Sequence, residues 1–143
     1  MGKVEVIDWV DRNKIQENPD KVYLFGDNDA RVGLGGQADA CRGLPNTIGI
    51  ATKKLPTMAE EAFYTDDELS INKAKVDKDM AKALEALLEG KTIAIPKDGF
   101  GSGSSELPTR APKTLRYIER WIEVLETTAG MQVHMSAPLS PTP

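Results

Sequence analysis

The chain has 143 residues, of which 40% are hydrophobic and 28% charged, and this composition is typical of one globular domain with a buried core. Its 18 lysines and arginines against 22 aspartates and glutamates give a formal net charge of -4, which argues against sequence-independent binding to nucleic acid. There is no apolar run of transmembrane length and no leader-like N-terminus, and the single cysteine excludes an internal disulfide. We therefore expect a soluble, cytoplasmic protein.

Short apolar runs alternate with helical patterns along the chain. The apolar runs predict strands over residues 4–10, 21–26, 46–54, 91–96 and 131–135. Patterns with helical spacing, or with caps, predict helices over residues 13–20, 37–44, 65–90 and 112–130. This alternation predicts one α/β domain over residues 1–135 with a largely parallel sheet, followed by a proline-rich disordered tail over 136–143.

Two glycine-rich loops follow predicted strands: GDNDARVGLGGQA at 26–38 and KDGFGSGSSELP at 97–108. Because parallel strands end at the same edge of a sheet, we expect both loops to border one cleft. Glycines allow positive φ and present backbone N–H groups to an anion, and a helix starting near Gly36 or Gln37 adds its dipole. Together the loops predict a diphosphate site, although either loop alone is equally compatible with tight turns. Neither loop has the Walker or dinucleotide-binding pattern.

The order of elements, with the segments GDNDARVGLGGQADACRG, IATKK and IAIPKDGFGSG, resembles the macrodomains, which bind ADP-ribose. Within them it is most similar to the terminal ADP-ribose-protein glycohydrolases, and it also resembles small macro-like proteins of phages and bacteria. The resemblance extends over about residues 3–135 and implies a three-layer α/β/α fold with a mixed, largely parallel sheet.

The same resemblance implies how a ligand would lie. The first loop would hold the diphosphate and the distal ribose, the second loop would close over the same diphosphate, and Asp8 would accept a hydrogen bond from the adenine amino group. Phe100 would stack on a ribose or on adenine, or would instead fill the core. The ligand-binding residues implied are Asp8, Asp29, Arg31, Gly33, Gly35, Gly36, Gln37, Gly99, Phe100, Gly101, Ser102 and Gly103.

Lys53 in ATKK matches the lysine that attacks C1 of the distal ribose in the glycohydrolase branch. A lysine can do so only when burial or a neighbouring cation lowers its pKa; the alternative is an ordinary solvated charge at a strand end. The family's assisting aspartate falls at Gly103, which has no side chain, while Asp98 and Glu106 are near it in sequence. The mechanism of that branch therefore lacks one of its two groups.

A second macrodomain route uses an asparagine of the first loop to position the distal ribose. Asn28 matches that asparagine, with Asp27 or Asp29 as the acid. The alternative is that Asp27 and Asn28 only close an Asx turn.

These patterns predict a protein that binds ADP-ribose or a related nucleotide diphosphoribose, free or attached to protein or nucleic acid, and leave open whether Lys53 hydrolyses it. One alternative is a non-catalytic binder that sequesters a free signal such as a cyclic ADP-ribose derivative. Another is a metal-dependent nuclease or phosphatase that uses Asp27, Asp29 and Asp98. Otherwise no metal site and no cofactor is predicted, because His134 is the single histidine. The sequence does not determine the oligomeric state.

Overall fold

The computed structural model describes residues 2–8, 10–100 and 103–136 and confirms the predicted α/β architecture. Four parallel strands form one sheet in the order β1-β4-β2-β3: β1 Lys3–Ile7, β2 Lys21–Asn28, β3 Thr47–Lys53 and β4 Thr92–Pro96. An isolated bridge between Lys53 and Phe63 adds an antiparallel contact. The helices of the described residues are α1 Arg12–Glu17, α2 Ala38–Cys41, α3 Leu69–Leu88, α4 Leu107–Arg110 and α5 Pro112–Ser136.

Helices cover both faces of the sheet, which gives the three layers. On one face, the side chains of Tyr23 and Phe25 pack with α1 and α2. On the other face, the alternate residues Val22 and Leu24 pack with α3 and α5. The central strand β4 is buried through Ile93–Ile95, as its unalternating apolar sequence predicted. In the part of the chain that the structure describes, we find no helix that is long and apolar enough to cross a membrane.

The strand predicted over 131–135 is wrong, because α5 continues through this segment to Ser136. The prediction assumed that the helix ends at Gly130, but the helix continues past this residue. A glycine that ends a helix usually takes a positive φ, as Gly90 does at 97° after α3, whereas Gly130 keeps a negative φ inside α5. Residue 134 therefore lies on a helix, and residues 137–143 of the predicted tail lie outside the described residues.

The helix predicted over 37–44 is reduced to the four residues of α2. It ends at Arg42, which is extended with φ -60° and ψ 131°, and Gly43 follows with φ 87°. One helical turn has little macrodipole, since the dipole is a sum over aligned peptide units. Any anion affinity of the first loop must therefore come from its own amides.

Candidate functional site

A cavity of about 580 Å³ opens at the carboxyl edge of the sheet, within the size range of ligand pockets. Every strand end contributes to its wall, through Asp8 after β1, Asn28 of β2, Lys53 of β3 and Pro96 of β4. Residues 32–37 of the first glycine loop and residues 97–100 and 103–105 of the second also line it. The two loops therefore border one cleft, as their positions after parallel strands predicted.

The residues of the first loop that line this cavity have unpaired backbone amides. Among the described residues, none accepts a hydrogen bond from the amides of residues 32–37. Gly33 and Gly36 have φ values of 95° and 58°, which are readily accessible only to glycine. A run of free amides in such a backbone is the arrangement that binds phosphate oxygens in anion nests.

Arg42 fixes the shape of this loop. Its Nε donates to the carbonyl of Gly33 at 2.7 Å, and its Nη2 donates to Asp27 Oδ1 at 2.6 Å and to the carbonyl of Val32 at 3.2 Å. The carbonyls of Val32 and Gly33 are thus paired, while the amides of residues 32–37 are not. Sequence reasoning missed Arg42, because its partners are backbone carbonyls and a carboxylate that only the fold brings together.

Asp29 and Arg31, which the macrodomain resemblance placed on the ligand, do not line the cavity. Arg31 donates through Nη2 to both carboxylate oxygens of Asp79 on α3, at 2.7 and 2.9 Å. Asp29 accepts hydrogen bonds from the Tyr64 hydroxyl and from Lys75 Nζ, each at 2.5 Å. Both residues therefore anchor the start of the loop to the helical layer.

Asp27 and Asn28 belong to β2 rather than to an Asx turn, and a register shift lies between them. Such a bulge turns successive side chains in new directions. Asn28 is 6% exposed and donates through Nδ2 to the carbonyl of Val32 at 2.7 Å, while its Oδ1 is buried without a partner among the described residues. The residue also lines the cavity. Asp27 is paired with Arg42 and is not a free acid.

Lys53 lies in the cavity wall but its amine is engaged. The side chain is buried, Nζ donates to the carbonyls of Thr57 at 2.7 Å and Ser104 at 3.1 Å, and it lies 4.6 Å from the centroid of the Phe63 ring. Burial lowers the pKa of Lys53; the Glu106 carboxylate opposes this change in part, and the Arg110 guanidinium adds to it. The lysine is therefore not a solvated charge, and it joins the loop after β3 to the second glycine loop.

The lowered pKa of Lys53 predicts how stability changes with pH. The unfolded chain holds this proton up to a higher pH than the folded chain does, so raising the pH above the folded pKa stabilises the folded protein. We expect the free energy of unfolding of the wild type, relative to Lys53→Met, to increase between neutral pH and pH 10. Urea titrations of both proteins across this range test it, and a difference that stays constant or decreases would contradict the assignment.

Among the described residues of the second loop, Gly99 and Gly103 have positive φ values of 70° and 74°. Phe100 contributes to the cavity wall, but it is 4% exposed and packs in the core with α3 and α5, so most of its ring fills the core. Asp98 also lines the cavity. The predicted ligand residues Gly101 and Ser102 lie outside the described residues.

Glu106, one of the two carboxylates close to Gly103 in sequence, is paired with an arginine. Glu106 accepts a hydrogen bond from Arg110 Nε at 2.8 Å, and the Glu106 backbone is left-handed with φ 50°. The nearby lysine, Lys53, donates instead to carbonyls. Among the described residues, Lys53 therefore forms no hydrogen bond with Asp98 or Glu106, while Asp98 lines the same cavity.

The β1 end of the cavity carries three other residues of interest. Asp8 has an 85% exposed side chain, 3.9 Å from Lys97 Nζ, and is open to a ligand. Gln37 exchanges hydrogen bonds with the backbone N–H and carbonyl of Val10, at 3.3 and 3.2 Å, and thereby joins the first loop to the segment after β1. Burial raises the pKa of Cys41 to about 11, so this thiol is not a nucleophile at neutral pH.

The acidic residues proposed for a metal-dependent nuclease are not brought together. Asp27 pairs with Arg42, and Asp29 is bound by Tyr64 and Lys75 outside the cavity. The described residues contain no group of three His, Cys, Asp or Glu side chains that is placed to hold a metal ion. This arrangement does not support that alternative.

Residues 5–121 match the model of a protein family described as "Family of unknown function (DUF7831)". The chain belongs to this family. The matched segment of the DUF7831 protein contains both glycine loops, β2, β3, β4 and Lys53, and so includes most of the cavity wall. No curated protein and no solved structure matches the chain.

Proposed function

We propose that this protein binds ADP-ribose or a related nucleotide diphosphoribose in the cavity at the carboxyl edge of the sheet. The observation that carries the proposal is the run of unpaired amides at residues 32–37, in a loop that borders the same cavity as the second glycine loop. A diphosphate is the group that such paired loops suit, because its oxygens accept several N–H bonds at once.

Two further features support binding of the ribose and of the adenine. Asn28 lines the cavity at the start of the first glycine loop, where the macrodomain resemblance would place the distal ribose. Asp8 is exposed at the opposite end of the sheet edge, where its carboxylate can accept from the amino group of an adenine. The macrodomain resemblance agrees with this orientation and stays a prediction.

Binding is favoured over hydrolysis. A hydrolytic role of Lys53 has one observation in its favour, since burial lowers its pKa within the cavity wall. Against it, Nζ donates to two carbonyls and Gly103 has no carboxyl group. We expect no release of ADP-ribose from a mono-ADP-ribosylated peptide; release that Lys53→Ala abolishes would establish hydrolysis instead.

Isothermal titration with ADP-ribose, AMP and a cyclic ADP-ribose isomer tests the proposal. We expect ADP-ribose to bind with a dissociation constant in the micromolar range and AMP to bind more weakly, because AMP lacks the diphosphate and the second ribose. Tighter binding of the cyclic isomer would identify the protein as one that sequesters a free signal. Heat from none of the three ligands would refute the proposal.

Substitutions at Gly35 show whether the ligand lies against the loop. Gly35 lines the cavity, has no positive φ, and a Cβ added there meets no atom within 4 Å. Gly35→Ala and Gly35→Phe should therefore fold normally, while the larger side chain weakens ADP-ribose binding at least about tenfold by blocking the approach to the amides. Gly130→Ala on α5 is the control. Undiminished affinity of Gly35→Phe would place the ligand elsewhere.

A further inference from the structure

Exposed apolar side chains border the mouth of the cavity on the β3 side. Val32 is 50% exposed, Leu34 63% and Met58 58%, and all three line the cavity together with Pro56. We call these four residues the apolar rim. Single exposed apolar residues are common, but neighbouring ones at the mouth of a cavity mark a binding surface.

The apolar rim is held in place by the fold. A Cβ added to Gly33 would lie 3.0 Å from Pro56 Cβ, so the first loop and the segment after β3 are in close contact. The carbonyl of Val32 accepts hydrogen bonds from Asn28 and Arg42, and these bonds fix the backbone that carries both the amides and the rim residue Val32. The rim therefore has a defined position relative to the phosphate-binding amides.

The order of strands places this rim at one end of the bound ligand. Asp8 follows the edge strand β1, Asn28 ends the inner strand β2, and Lys53 ends the opposite edge strand β3. A ligand whose adenine contacts Asp8 and whose distal ribose contacts Asn28 would direct C1 of that ribose toward the rim. A group attached at that carbon would contact Leu34 and Met58.

The chemistry of the rim indicates what that group is. All four side chains are uncharged and apolar, so the rim suits neither a phosphate nor a carboxylate. Met58 provides a flexible thioether, which makes favourable contacts with aromatic rings. Four side chains form a surface far smaller than the roughly 800 Å² that each partner buries in a stable protein complex. The rim matches one flat ring better than a protein surface.

We propose that the preferred ligand is a dinucleotide with two bases joined through a diphosphate, whose second base packs on Val32, Leu34, Pro56 and Met58. This inference rests on the proposed function, because it needs the diphosphate at residues 32–37 and the first base at Asp8. It differs from that function in naming a second aromatic ring as part of the ligand.

Calorimetric titration with diadenosine diphosphate and ADP-ribose tests the inference, since the two compounds share an adenosine, a diphosphate and a second ribose. We expect diadenosine diphosphate to bind about fivefold tighter or more, as packing of a base on a platform predicts. The double variant Leu34→Ser, Met58→Ser should lose this advantage, so that it binds the two compounds with equal affinity. Ile71→Ser on α3, which is 56% exposed and outside the cavity wall, should behave as the wild type.

The outcomes separate the two proposals. Equal affinities for the two compounds, or an advantage that the double variant retains, would overturn the rim assignment while ADP-ribose binding still supports the proposed function. A mono-ADP-ribosylated peptide that binds tighter than ADP-ribose, and loses this gain in the double variant, would assign the rim to a modified macromolecule and overturn the inference. Binding of neither compound would overturn both proposals.

Discussion

Asp79→Ala is expected to destabilise the protein by about 3 kcal/mol, because it breaks a buried charge pair and leaves a buried amide without an acceptor. Asp79 is 1% exposed and accepts hydrogen bonds from Arg31 and, at 2.8 Å, from the backbone N–H of Ala51. The side chain of Arg31 is 42% exposed, so water compensates part of its loss. Urea denaturation measures the change.

Two companion variants make the result specific. Asp79→Asn retains one oxygen that can accept from the Ala51 amide, so its free energy of unfolding should lie between those of the wild type and Asp79→Ala. Glu85→Ala removes an exposed carboxylate from the same helix and should change stability by less than about 0.5 kcal/mol. If Asp79→Ala lowers the free energy of unfolding no more than Glu85→Ala does, the ion pair of Arg31 with Asp79 does not hold the first loop to α3.

Gly49→Ala is expected to lower the free energy of unfolding by about 2 kcal/mol and to weaken ligand binding, because overpacking a tight site forces neighbouring groups apart. A Cβ at Gly49 would lie 2.9 Å from Asp27 Cβ and 3.0 Å from Asp27 Cγ. Asp27 would have to move away from Arg42, and Arg42 holds the Val32 and Gly33 carbonyls of the loop. A substitution in β3 is therefore expected to displace the loop amides that border the cavity.

Gly26→Ala on the neighbouring strand is the matched control. Its added Cβ has only an ordinary contact, 3.9 Å from Thr52 Oγ1, so stability should be unchanged or slightly higher. Urea denaturation of both variants gives the comparison of stability; because Gly26 itself lines the cavity, Gly130→Ala is the control for ADP-ribose binding. Equal behaviour of the two alanines would show that Asp27 adapts without releasing Arg42, and that the loop does not depend on this contact.

The functional consequence of these contacts is a preformed loop. Asp27 with Arg42 holds it from the face of the sheet that carries α2, and Arg31 with Asp79 holds it from the face that carries α3. Ordering a flexible loop opposes binding, so a loop that is already ordered retains more of the interaction energy. Variants at either anchor should therefore lower affinity; Arg31 and Asp79 would act from outside the cavity wall, whereas Asp27 and Arg42 also line the cavity.

Local patterns in the sequence were sufficient to predict the fold class and the position of the cleft. The apolar run of residues 92–96 predicted a central buried strand, and glycines after two parallel strands predicted two loops at one edge. These features depend on periodicity and on backbone freedom, which neighbouring residues determine. The end of α5 was predicted wrongly, because Gly130 permits a helix stop without imposing one.

The roles of individual polar residues were decided only by the tertiary structure. Asp29 and Arg31 lie in the same glycine loop as the cavity-lining residues, yet their charges are bound by Lys75 and Asp79 of α3, 46 and 48 positions away in the chain. Arg42, without a motif of its own, shapes the loop through contacts with Asp27 and Gly33. A charge pairs with whichever partner the packed layers bring within reach, and that partner is set by the arrangement of the layers rather than by residues nearby in sequence.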